Sequence, residues 1–224
     1  MSKVQNPIIG RSSGKFANAI FGTWKGINVL RSLPETVANP QTAAQMNQRN
    51  KNTSLVWASI WYRAVYLIGF AKAAIKKSEF NVFMQQNFNQ VTTDGDFEIW
   101  PINPENIVLA QGTLGSYGIA TATASGGDIT VTWNPAPLYP SDSADDKVII
   151  VISKALTPGT AIDKKDYINS VQIFTPFTNR SVGTRTFADT IGLVSGDTAY
   201  ATLFFYNDVT KDVSNSANLI VTIS

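Results

Sequence analysis

"GDITVTWNPAP", residues 127–137, decides the fold of the C-terminal half. Ile129, Val131 and Trp133 take alternate positions with Thr130 and Thr132 between them. A two-residue period of this kind marks a strand with one face toward a core. Asn134 and Pro135 then close it with residues that suit turns better than ladders. Working outward, short β-rich runs recur as "KVIIVIS" (147–153), "SVQIFT" (170–175), "TRTFADT" (184–190), "AYATLFFYN" (199–207) and "NLIVTIS" (218–224). Gly, Pro, Asn and Asp separate them, and no helical pattern intervenes. This reads as an antiparallel β-sandwich. "PINPEN" (101–106) reads as a loop, and residues 94–106 as the join to what precedes.

The first half runs on other periods. In "GKFANAIFGTWKGINVLRS" (14–32) apolar pairs flank the Lys25–Gly26 step, which suits a turn at positive φ and predicts a β-hairpin near 16–31. Asn39 as N-cap and Pro40 at the first helical position open a long helix. Only Gly69 breaks its pattern before Lys77, with Asn50–Thr53 as a place of interruption. Ser78 caps a second, short helix carrying Phe80, Phe83, Met84 and Phe88 at helical spacing. The expected fold is therefore α+β: a hairpin, a long and a short helix, then an all-β immunoglobulin-like sandwich. The expected domains are 1–95 and 96–224.

The long helix has two apolar stripes side by side: Val56, Ile60, Leu67, Ala71 and Ile75, and then Trp57, Trp61, Val65 and Ile68. A surface helix needs only one. This one wants cover on two sides, the second from the short helix or a neighbouring subunit. A membrane span over residues 54–75 competes, but Arg63 at its centre and Lys72 near its end argue against it.

Charge is split between the halves. Residues 1–77 hold eleven bases against one acid, Glu35, a net of +10; residues 78–224 hold seven bases against fifteen acids, a net of −8. Two readings stand: one module faces an acidic partner, or the halves neutralise each other within a chain or between copies. The start of the chain lacks the apolar run of a secretory signal. With no Cys and no His, thiolate nucleophiles, His-dependent triads and the usual zinc ligand sets are excluded.

Carboxylate chemistry is what remains. Asp94, Asp96 and Glu98 sit in the join, and Asp142, Asp145 and Asp146 crowd one loop. Neither set stands in an aromatic-lined pocket, so both read as turn acids, with calcium at the second set as the competing idea. "GTLGSYG" (112–118) leads into no helix and cannot cradle phosphate.

Around the quoted strand, "GDITVTWNPAP" followed by "LVSGDTAYATLFFYND" (193–208) resembles a fibronectin type III domain over about 107–224. The resemblance implies an inward Trp133 and a tyrosine corner at Tyr200. It implies a fold and no function. The whole chain resembles an uncharacterised family from Bacteroidota genomes and their phages, through "NPIIGRSSGKFANAIF" (6–21), "WKGINVLRSLPETVANPQTAAQMNQRNK" (24–51), "GDITVTW" and "KDVSNSANLI" (211–220). A related block looks like the start of many tailed-phage structural proteins. In this chain it comprises Gly14, Lys15, Gly26, Arg31, Pro34, Asn39, Pro40, Thr42, Gln45, Gln48 and Arg49.

These readings converge on a non-enzymatic structural protein of a phage virion: a connector ring, capsid-associated or decoration component, assembled in the host cytoplasm. It would work as a homo-oligomer with other virion proteins as partners, with no cofactor and no catalytic residue. Nonspecific DNA contact is the minority idea for its basic half. The interface or DNA-contact candidates are Lys15, Lys25, Arg31, Arg49, Lys51, Trp57, Trp61 and Arg63, each with core packing or solvation as its ordinary alternative. The competing function is an adhesin binding a glycan or host surface through sandwich loops 134–146 and 156–183.

Overall fold

The computed structural model describes residues 2–3, 14–33, 41–91, 101–115, 120–137, 140–156, 164–167 and 170–223. Contacts divide the chain into two compact units, Met1–Gln41 and Thr42–Ser224. In the first unit β1 (Ser2–Lys3), β2 (Gly14–Phe16), β3 (Ala19–Trp24) and β4 (Ile27–Ser32) form an antiparallel sheet in the order β1-β4-β3-β2. Lys25 and Gly26 sit at φ 48° and 80°, and Trp24 pairs with Ile27. This is a two-residue hairpin whose turn matches the twist of its strands. A second two-residue turn, with Ala17 at φ 47°, joins β2 to β3. The expected hairpin is thus the centre of a larger sheet.

The division at residue 41 differs from a boundary near residue 95, because the helices share a core with the sandwich. Residues 92–100 lie outside the described residues. In the second unit α1 (Ala43–Gly69) is capped by Thr42, whose Oγ1 accepts from the Gln45 N–H. Asn39 and Pro40, the expected helix start, lie outside the described residues. The helix is continuous through Asn50–Thr53, where Thr53 Oγ1 donates to the Arg49 carbonyl at 2.9 Å. It stops at Gly69, well before Lys77, because another segment presses on its end. The Gln111 N–H donates to the Gly69 carbonyl at 3.1 Å, and a Cβ on Gly69 would lie 2.0 Å from the Leu109 carbonyl oxygen. Gly69→Ala is therefore expected to cost about 3 kcal/mol, as overpacking against backbone does. It would appear as a lowered urea midpoint; an unchanged midpoint would contradict this close approach. The second helix, α2 (Glu79–Asn87), starts at Ser78 as expected.

The remaining strands are β5 (Thr121–Ser125), β6 (Asp128–Thr132), β7 (Lys147–Lys154), β8 (Val171–Ile173), β9 (Thr178–Asn179), β10 (Thr184–Ala188), β11 (Ala199–Tyr206) and β12 (Ala217–Ile223). They run in the order β10-β6-β5-β12-β11-β7-β8, with β9 paired to β7. The pivot is β12. Its first part pairs antiparallel with β11, and Val221–Ile223 pair parallel with β5, so the sheet curls over on itself. Inside the curl Ile129, Val131, Trp133, Ile150, Leu203 and Phe205 pack together. Trp133 points inward as expected, its Nε1 donating to the Arg180 carbonyl at 2.8 Å. The α+β architecture with a sandwich-like β part is as the sequence reads.

A third layer lies outside the curl. Ile149 and Val151 of β7 and Phe204 of β11 pack with Leu55, Tyr62 and Val65 of α1 and Phe83 of α2. Strands β7 and β11 are consequently buried on both faces, which is why both are nearly continuous apolar runs. Tyrosine hydroxyls pin the layers. Tyr62 shares a 2.8 Å hydrogen bond with Ser153 of β7, and Tyr167 shares one of 3.1 Å with Ser54 of α1. Burial pushes both phenols above their ordinary pKa, partly offset by these hydroxyl partners. Tyr200 is not in the sandwich core. On β11 it alternates with Ala199 and Ala201, which face that core, so its side chain belongs to the opposite face.

Candidate protein-interface surface

The helix α1 buries one face and displays the other. Leu55, Ala58, Tyr62 and Val65 turn into the core shared with the sheet, and Tyr66 stacks on Phe83 of α2. On the far side Val56, Ile60 and Leu67 remain 42, 43 and 43 % exposed, with exposed Arg49 and Arg63 in the same three-and-four-residue spacing. The result is an apolar stripe with Arg49 at its N-terminal end and Arg63 set between Ile60 and Leu67. The other stripe has a packing role: Trp57 and Trp61 are half-buried against the core, and Trp61 Nε1 is buried without a hydrogen-bond partner among the described residues. Lys51 is half-buried too, its Nζ 5.8 Å from the centre of the Phe88 ring.

Beside the stripe lies a cavity of about 470 Å³ between α1 and the start of α2, lined by Ile60, Arg63, Tyr66, Leu67, Glu79 and Phe80 among others. Its apolar walls and single arginine suit a side chain of another protein better than a reacting group.

In the first unit, Lys15 and Arg31 both pair in register with Ile20, from opposite sides. Directly paired residues share a sheet face, so these two exposed bases stand about 10 Å apart, two strand spacings, with Ile20 between them. Lys25 is exposed at the hairpin turn. The eight candidates therefore fall into two sets, three on the small sheet and five on α1.

The acidic loop is occupied by its own fold. The Asp142 carboxylate pairs with Arg180 at 3.0 Å and accepts from the Gly115 N–H, while that of Asp146 accepts from Ser143 N–H and Asn207 Nδ2. These carboxylates hold turns together and do not converge with Asp145 on a common point; no group of three acids gathers as metal ligands among the described residues. Asp94, Asp96 and Glu98 lie outside the described residues. Among the described residues no helix is long and apolar enough to cross a membrane.

Residues 11–219 match a family described as "Family of unknown function (DUF6266)". The chain belongs to DUF6266. No curated protein and no solved structure matches it.

In this DUF6266 chain the feature that sequence reasoning missed is the direction of the stripes. Both were visible, but the one left open is that of Val56, Ile60 and Leu67. A third set, Leu55, Ala58, Tyr62 and Tyr66, lines the core. Its signal was present in the continuous apolar runs of β7 and β11, which demand cover from outside the sandwich.

Proposed function

We propose that this chain is a non-enzymatic structural protein that works in many copies, as a connector-ring, capsid-associated or decoration component of a phage virion. The observation that carries the reading is the exposed apolar stripe of α1 with arginines set among it. Apolar groups left on a rigid helix are a common mark of a protein–protein surface. The opposite charges of the two halves support contact between copies, since bases of one can meet acids of the next. Resemblance of the N-terminal block to the start of tailed-phage structural proteins supports the virion setting. Lys15, Lys25 and Arg31 supply steering charge, and nonspecific contact with packaged DNA is a further use for them.

Native mass of the purified protein across a salt series tests this. The expected result is a discrete oligomer that weakens at high salt and in the Arg31→Ala/Arg49→Ala double variant. A monomer at every salt and concentration would count against self-assembly.

A further inference from the structure

Two surface features of the second unit are complementary. One is the α1–α2 cavity, with Ile60, Tyr66, Leu67 and Phe80 as apolar lining and Arg63 as its base. Arg63 is exposed and makes no ion pair among the described residues. Glu79 also lines the cavity, but it stands in the first turn of α2, where the positive end of the helix dipole offsets its charge.

The other is the β11–β12 turn. Val209 there is 89 % exposed, the most exposed large apolar residue among those described. It is not on a loose loop. Asn207 Oδ1 accepts from the N–H groups of Val209 and Thr210 at 3.0 and 2.9 Å, and the Asn207 N–H donates to the Asp212 carbonyl at 2.9 Å. Lys72 then anchors the turn through a 2.6 Å ion pair with Asp212. A side chain displayed on so constrained a turn loses little freedom on docking. Beside it Asp208 is exposed and within no salt-bridge distance of a base among the described residues, although Lys211 on the same turn acts on it at longer range.

We propose that the Val209 turn of one copy seats in the α1–α2 cavity of a second copy, with Asp208 meeting Arg63. Charge complementarity selects the occupant, because α1 carries bases and no acid while the turn offers the Asp208 carboxylate next to its apolar tip, its neighbouring base Lys211 being drawn over the Tyr206 ring at 5.4 Å. A second α1 would bring arginine against arginine. Turn and cavity are different surfaces, so each contact leaves one of each free. Repetition then builds a ring or a chain, unless two copies exchange turns reciprocally. This inference rests on the multi-copy reading above.

The test is sedimentation of the full chain over a concentration series, with Val209→Asp, Leu67→Asp, Arg63→Asp and Asp208→Arg. All four side chains are at the surface, and a thermal melt checks that each variant is folded. Each single change is expected to weaken association about tenfold, and Arg63→Asp with Asp208→Arg to regain most of the loss. Association unchanged by Val209→Asp and Leu67→Asp, or a charge swap with no recovery, would overturn this docking while the multi-copy reading stands. A wild type that never associates would overturn both.

Discussion

Asp142→Ala is expected to destabilise the protein by about 4 kcal/mol, as removal of one partner of a buried ion pair does. The side chains of Asp142 and Arg180 are both 0 % exposed, and their charged atoms stand 3.0 Å apart. The guanidinium also lies 4.1 Å above the centre of the Phe205 ring, inside the sandwich. Truncating Asp142 removes the carboxylate beside that fully buried cation, and frees the Gly115 N–H that its Oδ1 now accepts. Chemical denaturation of the variant measures the loss. The companion is Asp142→Leu/Arg180→Met, which removes both charges and should lose markedly less than the single change. Equal losses would mean that the pair's charges are not the source of its importance.

Phe204→Ala is expected to cost a similar amount, about 4 kcal/mol, from lost transfer energy and the cavity left behind. Phe204 is fully buried on the face of β11 that packs with the helices, not on the face inside the curl. Its removal opens the seam between the helical layer and the sheet. Since these layers share one core, the helical and the strand signals of far-ultraviolet circular dichroism should be lost together in one transition, in wild type and variant alike. A helical signal that outlives the sheet, or a variant as stable as wild type, would contradict the three-layer packing.

Much of this fold was legible because local rules and tertiary packing agree. Lys25–Gly26 announced a tight turn between apolar strands, Ser78 announced a helix start, and Trp133 announced an inward strand position. Other features turned on partners that local sequence cannot name. The end of α1 at Gly69 depends on residues 109–111, some forty positions away, pressing against the glycine. The buried Asp142 looked like any turn acid, since only folding brings Arg180 to it. Tyr200 sits near a turn with the spacing of a tyrosine corner, yet strand parity turns it to the other face. For the candidate surface, residue spacing revealed two apolar stripes on α1. It did not reveal which stripe the sheet would take, and hence which would stay exposed.

The central claim is that the open stripe of α1 joins copies of this chain. Native mass of a Val56→Asp/Ile60→Asp variant beside the wild type tests it most directly, because both positions are exposed and the buried face of α1 is left intact. The prediction is an oligomer for the wild type and a folded monomer for the variant. A variant that keeps the mass of a wild-type oligomer, or a wild type that is itself monomeric throughout, would contradict it.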